Sequence, residues 1–222
     1  MMPLANRPIL DWIFRAAKES TEIDEVVLAT STDPGDTLLA DFASEHGVRV
    51  VRGPLDDVLG RFLQAVDTVS ADAVVRLTAD CPLLDPALID AVVSVWRHNQ
   101  HTDYVASTLY RSLPRGLDVE CVRVGALRAL DTLATGPDRT HVTSRLYSSD
   151  SDFSQLGLMT SPNRSHYRLT VDTALDMEAL HEITLRTGDK TTPWREVVAI
   201  LDKNPYIPSI NSTVRQKDIS EG

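Results

Sequence analysis

The sequence predicts an α/β fold, a mostly parallel sheet flanked by helices with a small antiparallel excursion. Segments of strand and helix character succeed one another as β, α, β, α, β, α between residues 24 and 96 with short links, the order of a right-handed parallel sheet covered on both faces. One of these strands, Ala73-Val74-Val75-Arg76-Leu77, reads as buried on both sides and runs to Asp80. Past residue 100 the pattern changes. Asp103-Tyr104-Val105-Ala106-Ser107-Thr108 and Gly116-Leu117-Asp118-Val119-Glu120-Cys121-Val122 alternate polar and apolar residues, which predicts half-exposed antiparallel strands.

Taken in order, Ile9, Leu10, Ile13 and Ala17 recur at helical spacing, so a helix should run from Pro8 to about Lys18. Glu25-Val26-Val27-Leu28-Ala29-Thr30-Ser31 is the first strand, and Thr32-Asp33-Pro34-Gly35 a loop. A second helix spans 36–46 through Leu38, Leu39 and Phe42; Gly47 stops it before a strand at 48–52. The next helix is expected over 55–66, with Val58, Leu59, Phe62 and Val66 inward. Asp85-Pro86 reads as an N-cap followed by proline in the first helical position, opening a helix over 87–96. Residues 124–133 form a helix, 156–160 a strand, 167–172 a strand, and 194–201 a last helix. The stretch after the Asp172 strand opens another helix, with Leu175, Leu180 and Ile183 inward and Asp176 and Glu178 in its first turn, where the helix dipole favours acids. The polar stretch 204–222 is expected to be partly disordered. One domain over 1–203 with a polar tail follows, and 103–122 is the segment that could form a dimerisation arm.

Composition narrows the function. The chain has 222 residues, 42% of them hydrophobic, and a formal net charge of −10, which argues against a nucleic-acid surface and for small-molecule partners. The N-terminal residues lack the apolar core of a signal peptide, and no window is long enough to span a membrane. Cys81 and Cys121 are the only cysteines and form no C-x-x-C pair, so neither a disulfide framework nor a zinc cluster is suggested, and a reducing cytoplasm fits.

Asp80 lies where a sheet meets its ligand crevice, although an aspartate there can also simply cap a turn. The arrangement recurs at Tyr167-Arg168-Leu169-Thr170-Val171-Asp172. Two single carboxylates presented by separate strands suit Mg²⁺, which keeps most of its waters and is shared with substrate phosphates. Asp118 and Glu120, two apart on a strand, share a face, and a solvated face accounts for them equally well. His141 could be a general base or a ligand, but a histidine near a helix end more often caps or packs.

Several segments together resemble the sugar-acid cytidylyltransferases, especially the branch of spore coat polysaccharide biosynthesis protein F, related to the acylneuraminate and 3-deoxy-manno-octulosonate enzymes. They are Pro3-Leu4-Ala5-Asn6-Arg7-Pro8-Ile9-Leu10, Asp56-Asp57-Val58-Leu59-Gly60-Arg61, Arg76-Leu77-Thr78-Ala79-Asp80-Cys81-Pro82-Leu83, Pro114-Arg115-Gly116-Leu117-Asp118-Val119-Glu120, Arg139-Thr140-His141-Val142-Thr143 and Thr170-Val171-Asp172-Thr173. The resemblance implies a Rossmann-like nucleotide-diphospho-sugar transferase fold. It implies a reaction in which a sugar acid's anomeric hydroxyl attacks the α-phosphate of CTP and expels pyrophosphate. It assigns Mg²⁺ coordination to Asp80 and Asp172 and substrate contacts to Arg61, Thr78, Arg115, Asp118, Glu120, Arg139 and His141. A homodimer is also implied.

The chain departs from the family at two places. Ala174 stands where relatives carry proline, a change the following helix tolerates. Relatives also place a first strand and a Gly-rich, cationic phosphate loop ahead of the segment that here begins at Met2-Pro3. Three readings of that difference stand: a sequence that begins late, which the retained Asp80 and Asp172 favour; a non-catalytic sugar-nucleotide-binding or assembly protein; or an enzyme using another loop. A glycosyltransferase of similar fold is a further alternative, weakened because Asp80-Cys81-Pro82 holds one acid where a paired motif is expected. With the strand lacking, an open slot is expected in the middle of the sheet, and CTP is expected to bind the 222-residue chain weakly.

Overall fold

A computed structural model describes residues 2–215. The chain opens with a hairpin, β1 (Pro3–Leu4) and β2 (Arg7–Pro8), that feeds α1 (Ile9–Glu19). It continues through β3 (Val27–Ser31), a 3₁₀ turn (Pro34–Asp36), α2 (Thr37–Glu45), β4 (Arg49–Gly53), α3 (Val58–Asp67), β5 (Ala73–Arg76) and α4 (Pro86–His98). After these come β6 (Tyr104–Ala106), β7 (Glu120–Arg123), α5 (Val124–Leu133), α6 (Pro137–His141), α7 (Ser144–Tyr147) and β8 (Gln155–Gly157). Three helices close the chain: α8 (Ala174–Thr187), α9 (Trp194–Lys203) and α10 (Tyr206–Ile210).

Besides the β1-β2 hairpin, the strands among the described residues form two sheets. β3 and β4 pair in parallel, Val27 opposite Arg49 and Ser31 opposite Gly53. The second sheet runs in the order β5-β7-β6-β8, with β7 antiparallel to both β5 and β6 and β8 parallel to β6. Helices cover both faces, as the alternating β and α segments require. On one face Val105, Cys121 and Val75 pack with α1, α4, α8 and α9 through Trp12, Ile89, Ile183 and Val197. On the other, Tyr104, Val122 and Val74 pack with α3 and α5 through Leu59, Leu127 and Leu130. No helix among the described residues is long and apolar enough to cross a membrane.

No backbone hydrogen bond joins β3 to β5 among the described residues, and a cleft of about 560 Å³ separates them. The cleft lies where the sequence predicts an open slot. For this reason β5 is only half-buried along its whole length, although its apolar run predicts burial on both faces.

Other expectations change as well. Leu38 points outward at 65% exposure, and α2 is seated instead by Ala40 and Ala43. α3 starts at Val58 because Asp57 caps it, leaving Leu55 outside the helix. β6 and β7 are buried rather than half-exposed, since they are the two inner strands of their sheet with helices on each face. Residues 167–172 form no strand; a single parallel bridge joins Arg168 to Arg115. Leu175 is exposed, and Ala179, Leu180 and Ile183 carry the packing of α8. Within the stretch 204–222, expected to be partly disordered, α10 forms with Ile207 buried and Asn211 buried behind it; residues 216–222 lie outside the described ones.

Candidate functional site

The site is built on the turns that follow two structural segments. β5 ends at Arg76, and Leu77-Thr78-Ala79 carries the chain to a turn that presents Asp80. That turn is anchored immediately behind Asp80: Cys81 is buried, its backbone N–H donates to the Thr78 carbonyl at 3.2 Å, and Asp85 caps α4 by accepting the Ala87 N–H at 2.8 Å. The second Asp85 carboxylate oxygen accepts the Trp194 N–H at 2.8 Å, tying the turn to α9.

The second segment runs beside it. The Val171 N–H donates to the Asp80 carbonyl at 2.9 Å, so the chain positions holding Asp80 and Asp172 are neighbours despite their separation in sequence. Asp172 is exposed and ion-paired to Arg168. Arg168 also donates through Nε to Asp176 at 2.8 Å. Asp176 is fully buried and forms a capping box with Thr173, and it accepts further bonds from the Asp172 N–H at 3.1 Å and the Asn211 amide at 2.9 Å. Burial alone would raise its pKa, yet the Arg168 and Asn211 hydrogen bonds hold it below the usual carboxylate range.

A cationic wall faces these acids. The Arg115 N–H donates to the Tyr167 carbonyl at 3.0 Å, and the Leu169 N–H donates to the Arg115 carbonyl at 2.7 Å. Gly116 follows with φ +97°, and a Cβ there would sit 2.6 Å from the Leu169 carbonyl carbon, so only glycine allows this close approach. Arg111 clamps Asp118 through two bonds of 2.6 and 2.9 Å. Among the described residues Arg115 forms no side-chain hydrogen bond or ion pair. Burial pushes its guanidinium pKa down, as do the like charges of Arg111 and Arg168, while Asp118 and Asp172 oppose the shift. An arginine in this setting suits an incoming anion.

Of the sequence-predicted residues, Thr78, Asp80, Arg115, Asp118 and Asp172 belong to this group. Thr78 donates to the Asp80 carboxylate, which has no cationic partner among the described residues. Glu120 opens β7 and is held by other partners. It is buried, with Arg76 at 3.3 Å and the Thr143 hydroxyl at 2.8 Å, and a solvated face does not describe it. Arg139 lies on α6 and grips Asp57 at 2.8 and 2.9 Å and Asp131 at 3.0 Å. Its hydrogen bonds hold the Asp57 pKa down. Arg61 donates to the Pro54 and Leu55 carbonyls at 3.2 and 3.1 Å beside this pair. His141 ends α6, and its carbonyl accepts the Thr143 N–H at 2.6 Å.

Sequence reasoning missed Arg111 and Arg168 as site residues. Arg111 stands in the basic turn before Pro114, and Arg168 stands four residues before Asp172. Among the described residues no group of three or more His, Cys, Asp or Glu could hold a metal ion unaided. Two carboxylates on adjacent backbone suit a cation that takes its other ligands from water and phosphate.

The family model described as "Cytidylyltransferase" matches residues 1–132. A cytidylyltransferase from Leptospira borgpetersenii superposes with a TM-score of 0.89 at 28% identity, covering 98% of this chain and 90% of that one. The uncharacterized protein MJ1063 of Methanocaldococcus jannaschii is 33% identical over 100% of this chain and 90% of its own length. The spore coat polysaccharide biosynthesis protein SpsF of Bacillus subtilis is 27% identical over 92% of this chain and 88% of its own. The chain belongs to the cytidylyltransferase family, and its α/β fold is that of a nucleotidyltransferase.

Proposed function

We propose that the protein activates a sugar acid with CTP, giving a CMP-sugar and pyrophosphate, with Mg²⁺ held by Asp80 and Asp172. The hydrogen bond from the Val171 N–H to the Asp80 carbonyl, 2.9 Å long, carries this reading because it makes neighbours of the two acids the sequence singles out. A bound Mg²⁺ would supply charge to the triphosphate as it reacts. The remaining work falls to the chain's own residues. Thr78 holds the Asp80 carboxylate by a hydrogen bond, and Arg168 does the same for Asp172. Arg115 offers a charge-assisted donor to the acceptor's carboxylate or to phosphate oxygens, and Arg111 fixes Asp118 beside it to meet the acceptor's hydroxyl groups. Glu120, through Arg76 and Thr143, stiffens the strand that leads to Asp80. Arg139 is held by Asp57 between α3 and α6, with Arg61 beside the pair and His141 at the end of α6, and these offer further substrate contacts.

Purified chain incubated with CTP, Mg²⁺ and a panel of sugar acids including 3-deoxy-manno-octulosonate and N-acetylneuraminate tests the reading by release of pyrophosphate. Release that requires both CTP and a sugar acid is expected. Release with a neutral sugar phosphate in place of the acid would overturn the assignment of the acceptor. The resemblance also implies a homodimer, which sedimentation of the purified chain checks, and the cysteine usage fits a reducing cytoplasm.

A further inference from the structure

Arg168 serves two acids at once. Its Nε and one terminal nitrogen donate to the two oxygens of Asp176 at 2.8 and 3.2 Å, and that same terminal nitrogen also bonds the outer acid, Asp172. The arginine side chain is 10% exposed and stands between a fully buried carboxylate and one that is 48% exposed.

The two acids hold it unequally. Asp176 is shut off from water and fixed in place, because it also accepts the Asp172 and Thr173 N–H groups, the Thr173 hydroxyl and the Asn211 amide. Asp172 stands in water, where an ion pair is worth little. A cation arriving at Asp172 therefore displaces the weaker half of a shared contact, and Arg168 keeps a partner it already holds, so no buried charge is stranded. The surroundings set the balance. Arg111, Arg115 and Arg168 stand against Asp118, Asp172 and Asp176, so the formal charges of these six cancel and Asp80 is the acid in excess. One surplus carboxylate binds a bare divalent ion poorly, and phosphate oxygens make up the difference.

We propose that Arg168 is a positioning residue that acts as a charge gate on Asp172: it holds the outer acid in the resting site and withdraws onto Asp176 when a divalent cation takes that acid. The proposal rests on the reading of Asp172 as a metal-holding acid given above. It goes further in making the resting site self-occupied, so that a cation enters with its phosphates and not ahead of them.

Two substitutions push the gate in opposite directions. In Arg168→Lys a single ammonium cannot span both acids and stays with the buried one, which frees Asp172. In Asp176→Asn the competing acid is gone and Arg168 belongs to Asp172. The measurement is titration of the nucleotide-free chain with Mn²⁺, read by loss of the free-ion paramagnetic resonance signal, with Asp172→Asn marking the binding that involves this acid. Asp172-dependent affinity should rise about threefold in Arg168→Lys and fall about threefold in Asp176→Asn, the scale of one partly exposed ion pair. Arg168→Lys made on the Asp172→Asn background should change nothing. If Asp176→Asn does not fold, the double variant Arg168→Gln/Asp176→Asn, which leaves no charge in the buried layer, should bind Mn²⁺ at least as tightly as Arg168→Lys. Weaker binding in both single variants is what a purely structural arginine would give, and it would overturn the gate. Asp172-dependent binding indifferent to Arg168 and Asp176 would overturn the gate alone, whereas binding indifferent to Asp172 in every variant would overturn the metal reading and the gate with it.

Discussion

The segments around Asp80 and Asp172 are built alike and differ in one respect. Each presents an accessible aspartate and, five or four residues later, a buried one, Asp85 or Asp176, that caps the following helix and bonds to a distant part of the chain. In each the outer acid is available and the inner acid is saturated with hydrogen bonds. The difference is charge: among the described residues Asp172 has Arg168 as a partner, whereas the Asp80 carboxylate has the Thr78 hydroxyl and the Cys81 thiol. Asp80 is therefore the acid with most to gain from a cation. The comparison separates carboxylates that hold the fold from carboxylates left for chemistry.

The largest effect should come from the outer acid without a partner. Asp80→Asn should lower pyrophosphate release by about a thousandfold, the scale lost when one group stabilising transition-state charge is removed, while the melting temperature stays within a few degrees. Asp172→Asn should lose less, since Arg168 remains. Equal losses would remove the distinction between the two segments.

The inner acids should respond in the opposite sense. Asp176→Asn takes the buried partner of Arg168 away, leaving it Asp172, and should cost about 3–5 kcal/mol in denaturant unfolding. Asp85→Ala removes a cap and the Trp194 contact, and should cost about 1–2 kcal/mol. An inner-acid variant that kept its stability and lost activity would break the division of roles.

The smallest effect concerns a pair away from both segments. Asp57 has its pKa lowered from 3.8, first by the Arg139 hydrogen bond, so its contribution to stability is complete above the unfolded-state value and is lost as pH falls through the lower folded-state value. Arg139→Gln should therefore flatten the acid limb of the stability profile below about pH 4 and cost less than about 1 kcal/mol at neutral pH.

Local chemistry made much of this legible in the sequence. Asp85-Pro86 announced α4 through a cap and a proline whose roles need no tertiary context, and the bounds of α5 follow from its own periodicity. The pairing of Asp80 with Asp172 was expected from a repeated pattern, and the backbone of 171 does lie against that of 80. What could not be read was set by partners distant in the chain. Glu120 looked like a solvated residue because alternation does not reveal that Arg76 and Thr143 would meet it in a buried layer. Residues 167–172 have strand composition, but among the described residues their one ladder partner is Arg115, and one bridge does not make a strand. Leu38 and Leu175 fit helical spacing but lie outside the buried faces, which Ala40 and Ala43 supply in α2 and Ala179, Leu180 and Ile183 in α8.

The burial of Cys81 gives the molecule an internal clock. Burial, and then the charge of Asp80 beside it, push its pKa well above the ordinary thiol value, so it stays protonated and shielded while the turn is closed. A thiol-modifying reagent can reach it only during the intervals when the Asp80 turn lifts away. The labelling rate of Cys81 thus counts those openings, and any ion or nucleotide that settles on Asp80 should lengthen the interval between them.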